Sequence, residues 1–102
     1  SLPELAGAIE RARLVISVDT GVMHLAAALQ APLLALHGPT LPERWGPVSP
    51  TALALTSPHP AAGYIQFGYE THPDAAAVMP ALMAAEVIAA AEAKLAEPSK
   101  AA

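Results

Sequence analysis

The stretch that most restricts the fold is an apolar run, Leu14-Val15-Ile16-Ser17-Val18. It breaks at Asp19-Thr20-Gly21 and passes directly into an alanine-rich segment from Val22 to Gln30. The spacing predicts a strand, a tight turn and a helix. A continuous apolar strand is the pattern of one buried on both faces, which parallel sheets covered by helices provide. Ala31-Pro32 ends the helix, because proline lacks a donor N–H and disfavours helical geometry in the residue before it. Pro32-Leu33-Leu34-Ala35-Leu36-His37 then reads as a second buried parallel strand. Strand, helix and strand at this spacing form a βαβ unit. Its crossover is right-handed, and ligands gather at the carboxyl ends of such strands.

The same turn carries the candidate chemistry. A small-residue turn feeding a helix aims free backbone N–H groups and the positive helix end at one spot, which suits an anion and above all phosphate. A carboxylate beside a phosphate repels it, so Asp19 is better suited to accept hydrogen bonds from hydroxyls slightly further out, as on a sugar. Anion site plus hydroxyl acceptor suggests a sugar phosphate or a nucleotide sugar. A plainer reading stands beside it: Asp19 N-caps the helix and Gly21 only makes the turn. Asp19-Thr20-Gly21 with His24 is more specific than a lone glycine. It is weaker than a phosphate-loop signature, and neither G-x-G-x-x-G nor a Walker lysine is in the sequence. His24 falls in the first helical turn, where the helix end disfavours a charged imidazole. A neutral ring donating to a ligand or a carbonyl, and a packing and capping residue, are the two roles open to it.

The chain's 102 residues make one domain at most, with a core built from small and aliphatic side chains. Net charge is −4. No basic field is present to attract nucleic acid, and none to dock on an anionic membrane. An anionic ligand must therefore be held by local backbone geometry. Without cysteine there is neither a disulfide framework nor a thiolate metal site. The histidines His24, His37, His59 and His72 lack a metal-ligand spacing, so no metal is expected. No apolar run approaches the length of a bilayer span. The opening, without an initiator methionine and directly in a helix pattern, reads as part of something longer.

Elsewhere the elements are short. Ser1, Pro3 and Glu4 form an N-terminal capping box, and Leu2, Leu5, Ile9 and Ala12 fall on one face of the helix that follows. In the second helix, Val22, Leu25, Ala26 and Leu29 are expected to share the buried face. The second strand empties into His37-Gly38-Pro39-Thr40-Leu41-Pro42-Glu43-Arg44-Trp45-Gly46-Pro47, a rigid loop at the same sheet edge as Asp19. Two loops at the carboxyl ends of adjacent strands form the crevice where a ligand belongs. Arg44 reads either as a phosphate contact or as a solvated charge, and Trp45 either as a ring-stacking contact or, preferred, as a plug on the core. Thr51 to Thr56 reads as a third strand. Ser57 to Pro73 holds nearly all the aromatic residues and is too long for an ordinary connection, so it reads as interfacial or loose. Met83 to Leu95 reads as a helix burying Val87, Ile88, Ala91 and Leu95, with a disordered tail over 98–102.

Asp19-Thr20-Gly21-x-x-His24-Leu25-Ala26-Ala27-Ala28-Leu29, a proline-led strand, Gly38-Pro39-Thr40 and Trp45-Gly46-Pro47 together resemble glycosyltransferase family 9, the heptosyltransferase group of lipopolysaccharide core synthesis. The resemblance implies a GT-B enzyme of two Rossmann-like domains with the active site between them. Residues 1–97 correspond to part of the C-terminal, nucleotide-sugar-binding domain, a three-layer parallel sheet with flanking helices. Carried over, Asp19 holds donor-sugar hydroxyls, the backbone N–H groups of Thr20, Gly21 and Val22 hold the diphosphate, and His24 supports the loop. Gly38, Thr40 and Arg44 complete the expected substrate-binding set. No catalytic residue, cofactor or metal is expected here. The implied base sits in an N-terminal domain, so this stretch alone is expected not to catalyse transfer. ADP-heptose is the donor the resemblance implies first, though relatives with other donors share the loop. Gln30 departs from the pattern, standing where the family usually has glycine at the helix end.

The implied partners are a nucleotide diphosphate sugar, the N-terminal GT-B domain and a second copy meeting an exposed sheet edge. The implied setting is the cytoplasm, at the inner face of the bacterial inner membrane. Two alternatives remain open: a stand-alone Rossmann-like domain for another phosphate ligand, and an assembly piece that pairs through Tyr64 to Tyr69.

Overall fold

A computed structural model describes residues 1–97; the tail expected to be disordered lies outside them. Three strands, β1 (Val15–Val18), β2 (Leu33–His37) and β3 (Ala52–Thr56), form a parallel sheet in the order β1-β2-β3. Val15 pairs with Leu33 and Leu33 with Ala52, so the three strands are in step and their carboxyl ends form one edge. The α/β, Rossmann-like class read from the sequence is the observed one.

Helix α1 (Leu2–Arg11) starts at Ser1, whose Oγ accepts from the Glu4 N–H at 3.3 Å and donates to Glu4 Oε1 at 2.9 Å. Its buried face is narrower than expected. Ile9 is buried, but Leu2 and Leu5 are exposed, because α1 packs chiefly on α2 and its first turn overhangs the core. Helix α2 (Gly21–Ala28) lies against β1 and β2. It buries Met23, Ala26 and Ala27, whereas Val22, expected inside, faces out. The helix is apolar nearly all round, so periodicity could not say which stripe would meet the sheet. Met23 at 0% exposure joins Ile9, Ala26, Ala27, Ala31, Leu33 and Ala35 in the main core.

The end of α2 explains the Gln30 departure. Ala31 N–H bonds to Ala26 O and Gln30 N–H to Ala27 O, each at 3.0 Å, the paired bonds of a Schellman ending. That ending needs a left-handed residue, and Gln30 takes it with φ 55°. The turn survives the substitution, with strain that a glycine would not carry.

The opposite sheet face departs from the expectation of full burial. Leu33 and Ala35 belong to the core under α1 and α2, so alternation turns Leu34 and Leu36 to the other side. There α5 (Ala84–Leu95) lies against β2, and Leu34 is fully buried. Ile16 and Val18 on β1 remain 49% and 46% exposed. The final helix was expected to bury Val87, Ile88, Ala91 and Leu95, yet none is fully buried and Ile88 is 56% exposed. It is anchored at its end, where Lys94 Nζ donates to Thr51 O at 2.8 Å.

Two further corrections concern loops. Pro42–Trp45 forms a one-turn helix, α3, inside the stretch read as an irregular loop. The 57–73 segment, read as interfacial or loose, is pinned over its first half. Ser57 N–H bonds to His37 O, Gly63 N–H to Gly38 O and Ile65 N–H to Pro39 O, all at 2.8–2.9 Å. Further on, the Glu70 carboxylate gathers the N–H groups of Phe67, Gly68 and Tyr69. A short helix α4 (Ala75–Val78) and a 3-10 turn (Met79–Ala81) then lead to α5. Among the described residues no single helix is long and apolar enough to cross a membrane.

Candidate functional site

The carboxyl ends of β1 and β2 bring Asp19 and Thr40 together across 21 residues of chain. Thr40 Oγ1 donates to Asp19 Oδ2 at 2.8 Å and lies 3.2 Å from His37 Nδ1. His24 Nε2 is 3.6 Å from the other carboxylate oxygen, Oδ1. That is ion-pair range for a protonated ring and too long for a hydrogen bond.

This geometry removes the plainer of the two readings of Asp19. The N-cap of α2 is Thr20, in extended conformation and with no capping bond from its side chain. Its hydroxyl points back toward Val18 O and Ser17 Oγ. Asp19 therefore does not cap the helix; its carboxylate reaches across to the β2 loop. The first helical bond is from His24 N–H to Thr20 O, so the amides of Gly21, Val22 and Met23 have no acceptor within the helix. A Cβ at Gly21 meets nothing within 4 Å. Neither packing nor a positive φ requires glycine there; the space before the helix end is open.

Beside this helix end lies a pocket of about 320 Å³. Its walls are apolar, from Val18, Leu36, Ile65 and Met79, with Asp19 and Thr40 as the polar side chains. Gly38 and Pro39 supply backbone. Gly38 also has a packing role that the sequence did not announce. A Cβ there would run into the Met79 side chain and sit 3.2 Å from Val78 Cγ1, so its absence lets the 3-10 turn close over the pocket.

Of the expected site residues, the structure gathers Asp19, Thr20, Gly21, Val22, His24, Gly38 and Thr40 at one edge of the sheet. Asp19, Gly38 and Thr40 line the pocket, whereas Thr20, Gly21, Val22 and His24 lie outside its lining, and so does Arg44. Its guanidinium lies 5.0 Å from the Phe67 ring centroid, in cation–π range. Trp45 Nε1 is buried without a partner among the described residues, in keeping with a plug. Sequence reasoning missed His37, Ile65 and Met79. Only His37 had a local signal, a histidine closing a buried strand immediately before Gly-Pro-Thr.

His37 is fully buried. Burial pushes its pKa below the ordinary 6.5, opposed by the charges of Asp19 and Glu43 and reinforced by His24, so the ring is neutral at pH 7. Among the described residues no group of acidic and histidine side chains is arranged to hold a metal ion.

The family profile described as glycosyltransferase family 9 (heptosyltransferase) matches residues 1–70. The chain belongs to that family. Its similarity to individual members is substantial but local. It is 45% identical to lipopolysaccharide heptosyltransferase 1 of Salmonella typhimurium over 58 residues, covering 57% of this chain and 18% of the relative. Against the enzyme of the same name from Pseudomonas aeruginosa, identity is 44% over 61% of this chain and 18% of the relative. Against lipooligosaccharide heptosyltransferase 2 of Haemophilus influenzae it is 42%, over 54% and 16%. The matched stretch thus spans less than a fifth of each of these family 9 relatives. No solved structure gives a significant match.

Proposed function

We propose that this stretch forms the donor half-site of a heptosyltransferase-type GT-B enzyme and binds a nucleotide diphosphate sugar, ADP-heptose first among them. The observation that carries the reading is the open N-terminus of α2 beside an Asp19 carboxylate that does not cap it. The diphosphate sits at the amides of Thr20, Gly21 and Val22, where the helix dipole and unpaired N–H groups favour negative charge. Asp19 accepts hydroxyls of the sugar through the oxygen that Thr40 leaves uncommitted. His24 stands beside that oxygen and supports the same contact.

In the transfer reaction an acceptor hydroxyl, deprotonated by a carboxylate of the companion N-terminal domain, attacks the anomeric carbon. The bond to the nucleoside diphosphate breaks, and the leaving charge is stabilised at the α2 N-terminus. The residues of this stretch bind and orient the donor; the base lies in the companion domain. A lipopolysaccharide-type acceptor then places the reaction in the cytoplasm, at the inner face of the inner membrane. The exposed β1 edge and its Ile16 and Val18 side chains offer a surface for the companion domain or a second copy.

Amide NMR titration tests the reading. ADP-heptose should shift Thr20, Gly21, Val22 and Gly38 more than ADP does. Gly21→Val should abolish both responses while leaving the fold intact, since its side chain enters open space. Amides that stay still at millimolar ligand in the wild-type chain would sink the proposal.

A further inference from the structure

We infer that His37 is a positioning residue: held as its Nδ1–H tautomer, it orients the Thr40 hydroxyl so that one oxygen of Asp19 is occupied and the other is presented to a ligand. The ligand's identity rests on the donor reading above; the geometry does not.

Proton counting carries the argument. The Thr40 hydroxyl has one hydrogen, and it goes to Asp19 Oδ2 at 2.8 Å. The same oxygen lies 3.2 Å from His37 Nδ1. With its hydrogen committed to the carboxylate, Thr40 can only accept from the ring, so Nδ1 carries the hydrogen. A neutral ring with Nδ1–H leaves Nε2 as a bare lone pair. Nε2 is indeed the buried ring nitrogen that has no partner among the described residues.

The ring has little freedom to do otherwise. His37 is the last residue of β2, pairs with Thr56 of β3 and accepts from the Ser57 N–H at 2.8 Å. Its side chain is fully buried. A fixed donor at Nδ1 thus removes the choice of rotor from the Thr40 hydroxyl, and the directed hydroxyl in turn fixes the rotation of the Asp19 carboxylate. Oδ2 is occupied. Oδ1 has His24 Nε2 at 3.6 Å, beyond hydrogen-bond distance, and among the described residues keeps its acceptor capacity. The chain His37–Thr40–Asp19 therefore preorganises a hydroxyl acceptor in the way that supporting shells fix metal-binding or catalytic carboxylates.

Long-range 1H–15N spectra of the imidazole rings test the tautomer without any ligand. The wild-type chain should show His37 as Nδ1–H. Thr40→Ser should keep that pattern, and Thr40→Val, which removes the acceptor, should mix the two tautomers. Calorimetric titration with ADP-heptose and with ADP tests the consequence. Losing one oriented hydrogen bond should weaken ADP-heptose by about tenfold in both Thr40→Val and His37→Leu, and ADP by less than about twofold. His37→Asn, whose amide can donate from close to the Nδ1 position, should recover affinity to within about threefold of wild type.

An Nε2–H ring in the wild-type chain overturns the inference. So does an equal loss of ADP and ADP-heptose in both variants, the mark of a merely structural role. A wild-type chain with Nδ1–H that binds neither ligand overturns the donor reading instead, and supports the His37–Thr40 geometry.

Discussion

The two faces of the sheet are built from similar residues and end up in different states. Under α1 and α2, Met23, Leu33 and Ala35 lose all contact with water. On the other face, Ile16 and Val18 stay half exposed, and so does Ile88 on the helix that covers it. The composition is aliphatic on both sides; the number of covering elements differs. Helices α1 and α2 close one face; on the other, α5 meets β2 and Leu34 is also fully buried, but β1 keeps Ile16 and Val18 half exposed. Apolar character decides that a residue can be buried, and the neighbouring layer decides whether it is.

That contrast can be broken most forcefully from the closed side. Met23→Ala should cost about 2–5 kcal/mol, since a fully buried long side chain leaves a cavity among rigid neighbours. Denaturant midpoints measure it, and a loss comparable to that of a surface change would erase the distinction between the faces. His37 offers a second lever at the closed edge. Its folded-state pKa lies below the ordinary 6.5 because burial disfavours the imidazolium, with Asp19 and Glu43 opposing and His24 adding to the shift. The unfolded chain therefore binds the extra proton first. Stability should be complete above about pH 6.5 and fall toward the depressed folded pKa, at no more than about 1.4 kcal/mol per pH unit for one proton. His37→Leu should flatten that slope between pH 7.5 and 5.5, and an unchanged slope would assign it to other groups.

Smaller effects sharpen the same picture. Gln30→Gly should raise stability by about 1 kcal/mol, read as a higher melting temperature, because it relieves a left-handed residue in the Schellman turn. A drop would mean that the Gln30 side chain contributes more than its backbone strain costs. On the open face, Ile88→Ala should change stability by less than about 0.5 kcal/mol, its lost contact offset by better helix propensity. If Ile88→Ala matched Met23→Ala, α5 would have to be more deeply seated than its exposure indicates.

Much of the site was legible locally. Asp19-Thr20-Gly21 before a helix reads by spacing alone as a turn that leaves helix amides unpaired, and the strand-ending loops read as meeting at one sheet edge. What stayed hidden were contacts between segments distant in sequence. Thr40 is 21 residues from Asp19, and no periodicity records that its hydroxyl meets the carboxylate. Met79 approaches Gly38 from the far side of a long connection, and Ile65 arrives on a segment read as loose. Arg44 read equally well as a phosphate contact or a solvated charge, and its approach to Phe67 had no local signal.

The sequence by itself determined the βαβ order, the turn at Asp19-Thr20-Gly21, the proline stop before β2, a net charge of −4 and the lack of any thiol. Those follow from short-range physics: proline and glycine geometry, capping, alternation and charge. Only the tertiary structure decided that Met23 and not Val22 anchors α2, that β1 keeps one face open, and that His37 stands behind Thr40 and Asp19. A helix apolar on all sides has no preferred stripe until a sheet is laid against it. A hydroxyl has no direction until a buried ring and a carboxylate claim its lone pair and its proton.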